Sequence, residues 1–206
     1  MSSPTSQAPA PAAAPVSIAD PAPLGLAAFA MTTLVLSVFN TNMLDSKLSA
    51  AVLPLALAYG GGAQLLAGMW EFRRGNTFGA TAFSSYGAFW LSYYFLVKDI
   101  LPAIGTDPQT HNAVGLYLLA WGIFTAYMAV CALRVSGAVL GVFVFLAITF
   151  VVLAIGSFLT NGTTVTQIGG WFGIVTALIA WYTSFAGVAE STFGKPVLPV
   201  WPATRS

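Results

Sequence analysis

The sequence has very few charged residues. Only 6% of its 206 residues are Asp, Glu, Lys or Arg, whereas 57% are hydrophobic. A soluble domain normally carries about 25% charged residues. This shortage excludes a chain surrounded by water and predicts an integral membrane protein. The formal net charge is +1, so nothing points to nucleic acid as a partner.

Cysteine and histidine are nearly absent as well. The single cysteine, Cys131, excludes a disulfide within the chain, and its apolar surroundings predict a small buried residue. The single histidine, His111, is interpreted as a solvated residue at the start of an apolar run. The sequence shows no cluster of metal ligands, no nucleophile beside a base and no phosphate-binding loop. It therefore predicts no enzyme activity, no metal and no cofactor.

Long apolar runs dominate the rest of the chain. About 20 apolar residues in a helix cross a bilayer core of roughly 30 Å. Backbone groups in lipid must be paired internally, so helices are expected and the fold class is all-α. Charges, glycines and prolines mark the breaks between the runs. The six predicted spans are residues 24–40, 48–70, 77–97, 112–133, 138–159 and 167–189.

The ends of the chain differ from the apolar runs. Residues 1–19 are uncharged and rich in Pro, Ala and Ser, which predicts a disordered tail rather than a signal peptide. Residues 20–192 are predicted to form the membrane domain and residues 193–206 a short C-terminal tail. Pro54 lies within the second run and predicts a kink or local break there.

Basic residues between the runs predict the orientation, because they concentrate on the cytoplasmic side. Only Lys47 and Lys98 fall on the opposite side, so both termini are expected in the cytoplasm. The basic residues on the predicted cytoplasmic side are Arg73, Arg74, Arg134, Lys195 and Arg205.

Small and polar residues recur on one face of several runs. Residues three or four apart share a helix face, and glycine pairs such as Gly75 and Gly79 match the pattern of close helix contacts. Several such faces indicate a solute path lined by weak hydrogen-bonding groups. The alternative is that the hydroxyls bond carbonyls of their own or a neighbouring helix. The third run supplies Thr77, Thr81, Ser84, Ser85 and Ser92.

The centres of the runs contain no ionisable side chain. Glu71 and Glu190 lie at predicted helix ends. Proton-driven carriers often place an ionisable relay within the membrane. Its absence predicts that any proton coupling travels on the substrate or through water.

Two long stretches resemble signatures of the acetate uptake transporter family, which includes bacterial succinate–acetate permeases. "DPAPLGLAAF" at residues 20–29 is similar to the NPAPLGL signature, with Asp20 in place of the first Asn. The second is "YGGGAQLLAGMWEFRRGNTFGATAFSSYGAFW" at residues 59–90. The resemblance implies a six-helix protomer in the plasma membrane, a homo-hexamer, and passage of acetate and other short carboxylates, including succinate, through each protomer.

The resemblance also implies particular site residues. A narrow ring is expected from Phe29, Tyr86 and Leu146, and Ala180 is expected to influence substrate size. The charge of Asp20 is expected to oppose an anion nearby. Channel-like and proton-linked passage both remain open, and a small neutral-solute channel for urea, an amide or ammonia is the alternative. Positions expected to contact the carboxylate are Thr32, Thr33, Gln64 and Ser85.

Overall fold

A computed structural model describes residues 18–203, which form helices joined by short turns with no β-strand in that range. The predicted tail residues 1–17 and Arg205 lie outside the described part. We number the long helices in chain order. They are α1 Ala22–Asn40, α2 Ser46–Arg74, α3 Thr77–Phe95, α4 Thr110–Ala132, α5 Gly137–Phe158 and α6 Thr163–Phe193.

All six predicted apolar runs are helical. The largest difference from prediction is in α6, which begins at Thr163 and ends at Phe193, extending past residues 167–189 at both ends. Within the described residues, five helices are long and apolar enough to cross a membrane, and α3 is not among them. Helix α3 has 19 residues, but its serines, threonines, tyrosines and glycines make it less apolar than the others.

Helix α2 changes its winding along its length, as the position of Pro54 predicted. A 3₁₀ segment, Ser46–Val52, passes into the short α-helix Leu53–Leu57. Proline is tolerated in the first turn of an α-helix, where its missing N–H is not needed, and Pro54 occupies that turn. A π-turn at Ala58–Ala63 then leads into the regular helix Gln64–Arg74.

The turn between α2 and α3 gives Gly75 a different role from the predicted helix contact. Gly75 ends α2 with a left-handed φ of 76°, and a Cβ there would meet nothing within 4 Å. It is therefore a C-terminal cap, the position at which glycine is favoured. Asn76 then caps α3, with its Oδ1 accepting a hydrogen bond of 3.1 Å from the backbone N–H of Gly79.

The helices form a closed ring. Helix α1 packs on α6 and α2, α5 packs on α4 and α6, and α2 packs on α3. The remaining gap, between α3 and α4, is filled by aromatic side chains: the ring centroid of Phe89 lies 5.2 Å from that of Trp121 and 5.9 Å from that of Tyr117. Cys131 is exposed on α4, contrary to the buried position expected for it. Among the helices α4 packs closely only on α5, which leaves much of its apolar surface facing outward.

Both ends of the described chain lie on the same side of the ring. The segment after α6 folds back on the start of α5, where the N–H of Gly137 donates to the carbonyl of Trp201 at 2.8 Å. The N–H of Ala203 donates to the carbonyl of Val135 at 3.1 Å. Val135 and Ala22, the first residue of α1, line the same cavity. We call this the terminal side of the molecule, and the opposite side the far side.

Candidate functional site

Two cavities lie inside the helix ring, and Phe29 and Leu146 line both of them. The terminal-side cavity has a volume of about 90 Å³. The far-side cavity has a volume of about 280 Å³. Because Phe29 from α1 and Leu146 from α5 are buried and shared, these two apolar side chains form the partition between the cavities.

The far-side cavity carries several hydroxyl groups. Thr33, expected to contact a carboxylate, lines it, and its Oγ1 is buried without a hydrogen-bond partner among the described residues. The indole Nε1 of Trp90 is also buried without such a partner. These two groups leave hydrogen-bonding capacity available beside the partition. The polar residues that line this cavity are Thr33, Ser37, Asn40, Trp90, Tyr93, Tyr117, Thr149, Ser157 and Thr166.

The terminal-side cavity is largely apolar, and apart from Tyr86 its polar side chains come from α2 and the turn that follows. Gln64 is 1% exposed, and its Oε1 has no hydrogen-bond partner among the described residues. Glu71 and Asn76 complete the polar part of the lining. Gln64 and Thr33, both expected at the carboxylate, therefore lie on opposite sides of the partition.

Tyr86 of α3 packs beside the partition and lines the terminal-side cavity. Its ring centroid is 5.6 Å from that of Phe29. Its phenolic oxygen lies 2.9 Å from the Oγ1 of Thr125 on α4. The Thr125 hydroxyl donates to the carbonyl of Trp121 at 2.7 Å, so the Tyr86 hydroxyl is the donor to Thr125. Phe29, Tyr86 and Leu146 thus belong to one buried cluster, and the hydroxyl of Tyr86 is already satisfied.

Three other expected site residues line neither cavity. Thr32 donates its hydroxyl to the carbonyl of Ala28 in its own helix at 2.9 Å. Ser85 is half-buried on α3. Ala180 is completely buried in the same cluster as the partition residues. None of the three is in the lining of the two cavities.

The hydroxyl-bearing face of α3 also turns away from the cavities. Ser84 packs against Gly68 of α2, and Ser92 donates to the carbonyl of Phe89 at 2.8 Å. Aromatic and small side chains point inward instead, because they fill the space that faces α1, α4 and α5. The α3 residues that line the cavities are Phe78, Gly79, Ala82, Phe83, Tyr86, Phe89, Trp90 and Tyr93.

Two functional candidates are absent from the sequence-based list. Thr125 orients Tyr86 through the hydrogen bond between their hydroxyl groups, and no helical pattern pairs residues on separate helices. Glu71 lies at the helix end as predicted, yet it is 0% exposed and belongs to the cavity wall. Burial of this kind depends on the packing of neighbouring helices.

The charge of Asp20 is paired with that of a basic residue at the end of α2. A carboxylate oxygen of Asp20 lies 2.5 Å from Nη1 of Arg74 and accepts a 3.0 Å hydrogen bond from the N–H of Ala22. Both side chains are partly exposed, and such a pair contributes about 1 kcal/mol or less. The expected opposition of Asp20 to an anion is therefore offset by the adjacent guanidinium group.

Comparison with known proteins identifies related sequences and related solved structures. The profile of the GPR1/FUN34/yaaH family matches residues 4–204. The chain is 43% identical over 195 residues to acetate permease A of Emericella nidulans, which covers 88% of this chain and 65% of that protein. It is 38% identical over 184 residues to the succinate-acetate/proton symporter SatP of Escherichia coli, which covers 89% of this chain and 95% of that one.

The solved structure of the bacterial acetate channel SatP has the same fold. It matches with a TM-score of 0.82 and 38% identity, and the match covers 89% of this chain and 99% of that one. The chain thus spans nearly the whole of the bacterial protein but about 65% of the length of acetate permease A.

Proposed function

Because the chain belongs to the GPR1/FUN34/yaaH family, the acetate transporter family, we propose that it passes acetate and other short carboxylates, including succinate, across a membrane. The observation that carries this proposal is the pair of cavities separated by Phe29 and Leu146. The chain is a multi-pass membrane protein, as its apolar helices and its relatives indicate.

The chemistry of the lining suits a small amphipathic acid. Hydroxyl and amide groups hold a carboxylate without a fixed cation, whose burial in the membrane would be costly. We assign this role to Thr33 in the far-side cavity and to Gln64 in the terminal-side cavity. The methyl group of acetate then meets Phe29 and Leu146. Support for the Thr33 assignment comes from its buried hydroxyl, which can donate and has no partner among the described residues. Gln64 would donate through its Nε2, because its Oε1 can only accept.

Selectivity follows from the apolar partition. A second carboxylate, as in succinate, must also lose its water to pass between apolar groups, which costs free energy. Tyr86 supports Phe29 from α3 and completes the proposed ring. We assign Thr32, Ser85 and Ala180 to the helix packing around that ring rather than to direct contact with substrate.

The proposed topology has six membrane spans, with α3 as the third, and both termini in the cytoplasm. Three arginines support it because they lie at the ends of helices that are near the described chain termini. Arg73 and Arg74 are in the last turn of α2, and Arg134 follows α4. The terminal-side cavity would then open to the cytoplasm. We further propose that the protein resides in the plasma membrane and assembles as a homo-hexamer. The large apolar side chains exposed on the outer faces of the helices would then contact lipid and neighbouring protomers.

The purified protein in liposomes tests this function directly. We expect protein-dependent uptake of labelled acetate, slower uptake of succinate, and no uptake of labelled urea above that of protein-free liposomes. Urea passing faster than either carboxylate would favour the neutral-solute alternative and contradict our proposal. Acidification of the lumen on acetate uptake, beyond that of protein-free liposomes and measured with a trapped pH dye, would indicate proton-linked passage, because purely anionic passage carries no proton inward.

A further inference from the structure

Among residues 18–203, Glu71 is the one Asp, Glu, Lys, Arg or His side chain that lines either cavity. It is 0% exposed, although it lies within the last turn and a half of α2. An isolated carboxylate is costly to bury unless a partner compensates its charge. The groups around Glu71 therefore determine whether its carboxyl group is charged or neutral.

The two carboxyl oxygens of Glu71 have different surroundings. Oε2 accepts a 2.9 Å hydrogen bond from Nδ2 of Asn76. The Asn76 amide is held in that orientation because its Oδ1 accepts from the N–H of Gly79. Oε1 has no hydrogen-bond partner among the described residues. It faces Gly79, where a Cβ would lie only 2.8 Å from it, and Gly79 also lines the cavity.

Within residues 18–203, the one cation that acts on Glu71 is already paired with another carboxylate. The nearby charged groups are Asp20, before α1, and Arg74, on the same helix. These two pair with each other at 2.5 Å. Helices α1 and α3 pack on α2, and neither contains an Asp, Glu, Lys, Arg or His residue. The ionisable side chain that α3 contributes to the lining of this cavity is Tyr86, whose hydroxyl is hydrogen-bonded to Thr125.

We propose that Glu71 is the proton-bearing residue of the path and controls entry of carboxylates into the terminal-side cavity. Since Oε2 accepts from Asn76, the proton of the neutral form resides on Oε1, which then donates a hydrogen bond to the substrate carboxylate. In the charged form, the two carboxylates repel each other and the cavity excludes the substrate. The proton binds and leaves as the hydronium of water, and no covalent bond to substrate forms. This inference rests on the proposed function, because it assumes that the cavity belongs to the path.

The proposal predicts that flux depends on pH because Glu71 titrates, and not because the substrate does. At pH values above the pKa of Glu71, the neutral fraction falls by about tenfold for each further pH unit. We expect the wild-type rate of acetate anion exchange to fall in parallel with the neutral fraction of Glu71. Glu71→Gln keeps the acceptor for Asn76 and presents a permanent donor toward Gly79, so its exchange rate should stay nearly level over the same range.

The flux experiment compares wild type, Glu71→Gln and Glu190→Gln in liposomes with equal pH on both sides, measuring exchange of labelled acetate at equal concentrations. Protein-free liposomes correct for leakage of neutral acetic acid. Glu190 is the matched control, since it lies near the end of α6 but is exposed and lines neither cavity. Glu190→Gln should retain the wild-type profile. Identical pH profiles for wild type and Glu71→Gln would overturn the proposal.

A spectroscopic experiment tests the proton on Glu71 without any transport. Infrared spectra of the purified protein are recorded over the same pH range, and the C=O stretch of protonated carboxylic acids is compared between wild type and Glu71→Gln. We expect a wild-type band that Glu71→Gln lacks and that weakens as pH rises. A difference spectrum with no carboxylic acid band at any pH would contradict the inference even if Glu71→Gln transports poorly.

The two experiments separate failure of the inference from failure of the proposed function. A pH-dependent infrared band in a protein that exchanges no acetate would contradict the function while retaining the proton on Glu71. Acetate exchange with the same pH profile in wild type and Glu71→Gln would retain the function and overturn the inference.

Discussion

The phenolic oxygen of Tyr86 lies 2.9 Å from the Oγ1 of Thr125 and joins α3 to α4 at the level of the partition. Because Thr125 donates its own hydrogen to the carbonyl of Trp121, its oxygen is oriented to accept from Tyr86. The orientation of the aromatic ring that packs against Phe29 therefore depends on a helix that contributes no side chain to the partition itself.

Thr125→Val should destabilise the protein by about 1–3 kcal/mol, because a buried Tyr86 hydroxyl is left without its acceptor. Combining it with Tyr86→Phe, which removes the donor, should cost less than the sum of the two single changes. Denaturant unfolding of the four proteins in detergent measures the coupling. Strictly additive effects would show that the hydrogen bond contributes nothing to stability.

Tyr86→Ala should change the ratio of succinate to acetate flux, because the side chain that supports Phe29 is removed. The measurement is initial uptake into liposomes, normalised to folded protein. Tyr94→Ala is the matched control: Tyr94 lies on the same helix, lines neither cavity and stacks beneath Lys98. An unchanged ratio in folded Tyr86→Ala would remove Tyr86 from the proposed ring.

Leu146→Ala should raise succinate flux relative to acetate flux, since it widens the partition without adding a polar group. A leucine-to-alanine change in a packed core costs about 2–5 kcal/mol, so flux must again be normalised to folded protein. Leu153→Ala serves as control because Leu153 is on the same helix and lines the far-side cavity alone. Equal shifts in both variants would indicate that cavity volume, rather than the partition, determines selectivity.

Ala180→Phe should lower the amount of folded protein without changing the ratio of succinate to acetate flux. Ala180 is 0% exposed in the packed cluster, and overpacking of a core typically costs about 1–3 kcal/mol. Size-exclusion chromatography in detergent and the same flux assay measure the two effects. The exposed residue Leu178 on the same helix provides the control Leu178→Phe. A changed flux ratio in folded Ala180→Phe would place Ala180 in substrate selection.

Single cysteines test the orientation. In a Cys131→Ser background, Ser46→Cys and Thr106→Cys should react with an impermeant maleimide added to intact cells, whereas Gly75→Cys should react only after permeabilisation. Removal of Cys131 is needed because it is exposed. The reverse labelling pattern would place the termini outside and the terminal-side cavity at the outer surface.

The position of Ser85 shows why the lining of the path was difficult to predict. Ser85 and Tyr86 are neighbours, and the hydroxyls of α3 formed the more obvious helical face. The structure turns that face away because the large side chains of Tyr86 and Phe89 fill the gap between α3 and α4, whereas Ser84 allows the close approach of Gly68. Helical periodicity determines which residues share a face, but it does not determine which face points inward.

The sequence by itself determined the membrane class, the six helices and the family, because long apolar runs and contiguous motifs are local properties of the chain. It also placed Phe29 and Leu146 in a common ring through the resemblance. Only the tertiary structure decided that these two residues separate two cavities, that Asp20 pairs with Arg74, and that Glu71 is buried with one oxygen unpaired. Each of these depends on distances between side chains from different helices, and those distances arise from packing rather than from any pattern along one helix.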